Sequence, residues 1–213
     1  MTAESVAHAR RTRSRKGEGE KLREEIVDAA ERLLIETNDE EAVSIRAVAD
    51  AVGVTPPSIY LHFSDKNELL FAVCERHFAR FDEVIEQAGS GADDPLGSLL
   101  LRGRAYVAFG LSHPEHYRIM FMRKPGETPD GWQDELLRRS SAFDHHVSAV
   151  TRVAEAGIIE GDPTVAAIVL WAGVHGITSL LISKPDFPWP DRDALIDAVL
   201  TAGLRGVAVP PTS

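Results

Sequence analysis

The chain has 213 residues, 44% of them hydrophobic, which is enough for one or two buried cores. Its single cysteine, Cys74, excludes a disulfide framework, and a formal net charge of −10 argues against a general nucleic-acid coat protein. No run is expected to reach the ~18–20 apolar residues of a membrane span, and no apolar stretch follows the basic N-terminus as in a signal peptide, so a cytoplasmic protein is expected.

Residues 1–17 lack an apolar period. Arg10, Arg11, Arg13, Arg15 and Lys16 crowd this segment, with Glu4 opposing them. It reads as a basic arm able to reach phosphates or a minor groove. A first helix is predicted from about Glu18 to Glu36, with Leu22, Ile26, Ala29, Ala30, Leu33 and Leu34 as its buried stripe. Thr37-Asn38-Asp39 closes it.

The stretch Ser44–Phe63, SIRAVADAVGVTPPSIYLHF, then reads as two short helices and a tight turn. Ser44 is placed to cap the first. Ile45, Val48, Ala49 and Val52 share one face. Gly53 ends that helix in a left-handed conformation, Thr55 restarts the chain as a second cap, and Pro56 takes the first helical position. Ile59 and Phe63 point inward. Thr55, Ser58, Tyr60 and His62 fall on the outer face, as hydrogen-bonding side chains suited to phosphates and base edges. This is the pattern of a helix-turn-helix, whose second helix enters the DNA major groove. The dipeptide Pro56-Pro57 removes two donors at the start of that helix and is expected to deform its first turn.

The segment GVTPPSIYLHFSDKNELL resembles the signature of the TetR (tetracycline-repressor-like) family of bacterial transcription regulators, through Gly53, Tyr60, Phe63, Lys66, Leu69 and Leu70. The resemblance covers about residues 20–70. It implies DNA contact from the Arg46 position, near the start of the first motif helix, where a guanidinium suits guanine or phosphate. Ser44, Thr55, Pro56, Pro57, Ser58, Tyr60, Leu61, His62 and Lys66 complete the DNA-binding set. Tyr60 and Lys66 are assigned to phosphate, His62 to a base edge and Leu61 to a thymine methyl.

Ser64 is expected to cap a long fourth helix reaching about Gln87, with Leu70, Val73, Cys74, His77, Phe78, Phe81 and Val84 inward. Cys74 is read as a packed thiol. By the family resemblance this helix carries ligand binding to the DNA heads. Residues 88–92 form a loop, read as the boundary of a second, all-helical body. The division is 1–17 arm, 18–66 DNA-binding domain and 67–208 regulatory and dimerisation domain. An all-α chain of about nine helices results.

In that body, Asp94-Pro95 starts a helix with Leu96, Leu99, Leu100, Tyr106, Val107 and Phe109 mostly inward. His113-Pro114 breaks it and opens a short helix to Met122. A loop at 125–129 precedes a helix from about Asp130 to Ala156, burying Leu136, Leu137, Phe143, Val147 and Val150. Asp162-Pro163 starts a helix running to about Ser183, and three prolines separate it from a last one over about 191–204. These two are apolar on more than one side, so the same pair from a second copy is expected to cover them, at about 163–204. Ala172, Gly173 and Gly176 would permit close approach. HPEHYRIMFM with Trp171, His175 and Gly176 resembles the body of a TetR subgroup carrying a Trp-x-x-x-His-Gly element.

Family members of this kind are usually switched by a small molecule held in the body. The candidates to line such a site are Tyr106, Phe109, Tyr117, Met120, Phe121, Phe143, His146, Trp171 and His175. No metal site is expected: His113 and His116 are three apart, the adjacent His145 and His146 beside Asp144 diverge on a helix, and the sequence has no Cys cluster and no H-x-x-x-H helix. No cofactor fingerprint or catalytic constellation is recognised; Ser141, Asp144 and His145 have no oxyanion turn beside them. The expectation is a homodimeric, effector-released repressor of a palindromic DNA operator. The competing reading is a helical ligand-binding or enzymatic protein whose helix-turn-helix no longer functions, which the acidic charge and Pro56-Pro57 keep open.

Overall fold

A computed structural model describes residues 18–37, 39, 42–122 and 141–208. The basic arm at 1–17, the loop at 125–129 and the stretch holding Leu136 and Leu137 lie outside the described residues. Among those described there are nine helices: α1 (Glu18–Thr37), α2 (Ile45–Val52), α3 (Pro56–Tyr60), α4 (Lys66–Gly89), α5 (Pro95–Ser112), α6 (Pro114–Phe121), α7 (Ala142–Glu155), α8 (Pro163–Ser183) and α9 (Arg192–Val207). The chain divides into two compact units inside α4, between Arg76 and His77.

The first unit is built by local rules that the sequence displays. Ile26, Val27, Ala29, Ala30 and Leu34 of α1 are buried, while Leu22 and Leu33 are only half-buried. Ser44 caps α2, its hydroxyl accepting from the backbone N–H of Ala47 at 3.1 Å. Gly53 ends α2 at φ 77°. The N–H of Val54 then donates to the carbonyl of Ala49, and that of Gly53 to Asp50, so the last carbonyls of the helix are satisfied. Ile59 is fully buried and Phe63 nearly so. The Arg23 guanidinium lies 5.0 Å from the centre of the Phe63 ring, a cation–π contact.

Two expected caps are corrected. Thr55 stands at the N-cap of α3 with extended backbone, but its side chain makes no cap bond; its hydroxyl pairs with that of Ser58 at 3.1 Å. Ser64 does not cap α4. The Asp65 carboxylate accepts from the Glu68 N–H at 2.9 Å, and the Glu68 carboxylate reaches back to the Ser64 N–H at 2.6 Å. The pair resembles a capping box, except that Glu68 reaches the N–H of the residue before the Asp65 cap and not that of the cap itself. The bond from the Ser64 backbone N–H, before that from its hydroxyl, holds the Glu68 carboxyl below its usual range.

In the second unit, Asp94, Asp162 and Asp191 cap α5, α8 and α9 through their carboxylates, each accepting a backbone N–H at 2.8 Å. Proline occupies the first turn of α5, α6 and α8. Leu99, Ala149, Val150, Val153, Ile159, Ala166 and Ala167 form one packed cluster drawn from α5, α7, α8 and the turn after α7. Val84, expected inward on α4, is exposed. Phe81 and Asp82 are the buried residues of that turn, which puts Val84 off the buried arc.

The absence of a membrane-length apolar run is also corrected: α8 is long and apolar enough to cross a membrane by length and composition. Here it serves as the central helix of this unit, burying Ala166, Ala167, Val174, Ile177, Thr178, Leu181 and Ile182. Its other side leaves Val165, Ile168, Val169 and Leu180 exposed.

Candidate nucleic-acid interface and body cavity

The first unit presents a short helix on a fixed base. Ile59 and Phe63 anchor α3 and the residues after it from below, while Tyr60 is 55% exposed and Leu61 84% exposed. A leucine so open to water costs the fold a hydrophobic contact, and none of the described residues covers it. Arg46 is exposed on α2. Thr55 and Pro57 are exposed; Pro56, Ser58, His62 and Lys66 are half-buried. Ser44 is exposed, with its hydroxyl engaged in the α2 cap. The N–H of Ser58 donates to the Thr55 carbonyl at 2.8 Å, so the turn that carries the two prolines is tight.

The second unit holds a partly open cavity of about 80 Å³. One water needs only ~10–15 Å³, so the space suits a small organic molecule. Phe78 and Phe81 of α4, Tyr106 of α5, Phe121 of α6, Phe143 of α7 and Trp171 of α8 give it aromatic walls, and Val199, Leu200 and Leu204 of α9 close one side. Of the nine expected lining residues, Tyr106, Phe121, Phe143, His146 and Trp171 line the cavity. Phe109, Tyr117 and Met120 are instead buried in the surrounding packing, and His175 stands behind the wall.

A polar circuit backs that wall. The indole N–H of Trp171 donates to the Tyr106 hydroxyl at 3.1 Å. The Tyr106 and Tyr117 hydroxyls are 3.1 Å apart, and the Tyr117 hydroxyl lies 2.7 Å from Nδ1 of His175. Nε2 of His175 faces the Ser179 hydroxyl at 3.4 Å. A neutral His175 protonated on Nε2 satisfies every member, with Nδ1 accepting from Tyr117. Burial pushes His175 below the usual histidine range and both tyrosines above theirs, which keeps the circuit uncharged near neutrality.

Two charged side chains outside the sequence-based set also line the cavity: Arg102 and Asp82. Arg102 is 6% exposed and forks onto both carboxylate oxygens of Glu86. That hydrogen bonding holds the Glu86 carboxyl below its usual range, against the opposing effect of burial. Asp82 accepts from the Ser141 hydroxyl at 2.5 Å and faces Nδ1 of His145 at 3.0 Å. Asp82, Glu86 and His145 bring possible ligand atoms within 4.8 Å of one another, but the Arg102 guanidinium already occupies both Glu86 oxygens.

Comparison with known proteins agrees with both units. Residues 26–73 match the model for bacterial regulatory proteins of the tetR family, and residues 99–203 match that for a tetracyclin repressor-like C-terminal domain. The HTH-type transcriptional regulator TtgR of Pseudomonas putida is 27% identical over 183 residues, spanning 82% of this chain and 86% of that regulator. A Rhodococcus sp. RHA1 protein of unknown function superposes with a TM-score of 0.74 at 28% identity, over 88% of this chain and 96% of that one. SmeT, the repressor of the Stenotrophomonas maltophilia multidrug efflux pump SmeDEF, shares the fold at a TM-score of 0.67 and 22% identity, over 89% of this chain and 91% of its own. The helix-turn-helix unit and the helical body together place this chain in the TetR family: it is a DNA-binding transcription regulator, of a family that binds operators and does not act enzymatically.

Proposed function

We propose that the protein is a cytoplasmic repressor that binds a palindromic operator as a homodimer and is released by a small molecule held in the body cavity. The observation that carries the DNA-reading part is the pair Tyr60 and Leu61, held in water above buried Ile59 and Phe63. A tyrosine hydroxyl there meets phosphate, and a bare leucine meets a thymine methyl. Arg46 supplies a guanidinium from α2. Thr55 and Ser58 have bonded to each other, so they reach DNA by exchanging that bond. Local cations and fitted contacts carry the affinity, while the net charge of −10 governs solubility.

The dimer reading rests on the outer faces of α8 and α9. Val165, Ile168, Val169 and Leu180 are exposed on α8, with exposed Ala172 among them. Ala194, Ala198 and Ala202 repeat every fourth position on the exposed side of α9. Small residues in a row let a facing helix approach closely, and a second copy supplies the same pair in an isologous four-helix contact. Ala172 and Gly176 belong to that approach; Gly173 packs inside the unit, where an added Cβ would stand 3.4 Å from Val199. Release follows as differential affinity: the effector favours the dimer form whose heads do not match the ~34 Å repeat of the groove. The helix α4, which contributes residues to both units, is the covalent link for that coupling.

Selection from random double-stranded DNA with the purified protein tests the reading. Enrichment of an inverted repeat supports a dimeric operator reader. Recovery of unrelated sequences would instead favour a helical ligand-binding protein whose helix-turn-helix has lost its role.

A further inference from the structure

Resting on the effector-cavity reading above, we infer that the cavity takes an uncharged, largely apolar alcohol or phenol, with its hydroxyl donating to Nδ1 of His146. The position of one proton decides this. Nε2 of His146 lies 2.9 Å from the backbone carbonyl of Ala167. A carbonyl only accepts, so Nε2 carries the hydrogen. Burial holds this imidazole neutral, with Arg102 nearby acting in the same direction. Nδ1 is therefore a lone-pair acceptor on a residue that lines the cavity. An apolar ligand would leave that acceptor without a donor; a hydroxyl satisfies it.

The other polar groups of the wall are already matched. The Trp171 N–H is given to Tyr106, whose hydroxyl sits within the Tyr117–His175 circuit. Arg102 would be the natural partner of an anionic ligand, but its fork is closed on Glu86, and Asp82 adds a negative charge to the same wall. A carboxylate ligand would have to displace Glu86 and face Asp82. A neutral molecule meets neither cost. The remaining walls combine aromatic side chains (Phe78, Phe81, Phe121, Phe143) with aliphatic ones such as Leu170, Val199 and Leu200, which suits an apolar body with an aromatic ring.

Isothermal titration calorimetry on the full-length protein at pH 7 tests this with three matched probes: 2-naphthol, 2-methoxynaphthalene and 2-naphthoate. The naphthol is expected to bind about fivefold more tightly than its methyl ether, the worth of one hydrogen bond. The naphthoate is expected to give no saturable heat. In His146→Leu, naphthol affinity is expected to fall to that of the ether, with the ether changed by less than about twofold. The wild-type comparison stands whether or not that variant folds. Equal binding of ether and naphthol, tightest binding of naphthoate, or a naphthol preference that survives His146→Leu overturns the inference and leaves the cavity as a ligand site. Heat from none of the three overturns the effector-cavity reading as well.

Discussion

The guanidinium of Arg102 on α5 lies across both carboxylate oxygens of Glu86 on α4, and it does so from an almost fully buried position beside the cavity. The two partners are unequally placed: the Arg102 side chain is 7% exposed and that of Glu86 37%. Removing one charge therefore does not equal removing the other. Glu86→Gln leaves a buried cation with half a partner and is expected to cost about 2 kcal/mol. Arg102→Met leaves a carboxylate that water can reach and is expected to cost about 1 kcal/mol, a figure already discounted for that exposure. Urea unfolding midpoints at pH 7 measure both. The reverse order would contradict the assignment of Arg102 as the buried partner.

Gly53 holds φ 77° at the end of α2. A side chain there crosses into left-handed strain, so Gly53→Ala is expected to lower stability by about 1–2 kcal/mol. Gly157 has a similar φ of 74° and nothing within 4 Å of an added Cβ, so Gly157→Ala provides the control for backbone strain without steric contact. Comparable losses in the two variants, read from thermal unfolding, place the cost in the backbone. A much larger loss at Gly53 would place it in packing.

Much of the first unit is legible in the sequence because its rules are local. The Ser44 cap, the Gly53 turn and the inward Ile59 and Phe63 each depend on a few adjacent residues. The α4 cap falls one position from its expected place because both Ser64 and Asp65 can cap, and it is the Asp65 carboxylate that takes the Glu68 backbone N–H. Arg102 and Asp82 escape a sequence reading for a different reason. An arginine in an apolar run reads as solvated until its partner is known, and Glu86 lies 16 residues away on another helix. The aromatic candidates do group in the body, but helical spacing alone does not say which ones front a cavity and which, like Tyr117, stand behind it.

The exposed apolar side of α8 is expected to be the dimer seam. Val169 is 44% exposed at its middle. Val169→Glu would place like charges against each other across a two-fold axis. Sedimentation velocity at about 10 μM, well above the dissociation constant expected of a stable dimer, should show wild-type dimer and mutant monomer. A wild-type monomer, or a mutant that remains dimeric, would move the seam elsewhere.

Stability should also depend on pH through His146 and His175, both held below the usual histidine range by burial. In the unfolded chain they take up protons near pH 6.5, whereas in the folded chain they do so only at lower pH. Between those values the unfolded state binds more protons, so stability is complete above about pH 6.5 and declines as pH falls toward the folded values. The groups around them are Arg102 and the Ala167 carbonyl for His146, and Tyr106, Tyr117, Trp171 and Ser179 for His175. The depressed carboxyls of Glu68 and Glu86 act only below their unfolded value near 4.3 and are separable. Melting temperatures at pH 7.5 and 5.5 should differ in the wild type, and by less in His146→Gln. An unchanged difference would show that His146 does not carry the pH dependence.

The proposed operator reading depends on sequence contacts made through Tyr60 and Leu61 at the end of α3, with Arg46 supplied from α2. A gel shift and footprint on the DNA upstream of its own gene, with excess nonspecific competitor at two salt concentrations, tests that dependence. The wild type is expected to give a competitor-resistant complex with a symmetric footprint, weakened at least about tenfold by Arg46→Ala and by Leu61→Asp. Binding that disappears with competitor or modest salt, or that both variants retain in full, would contradict it.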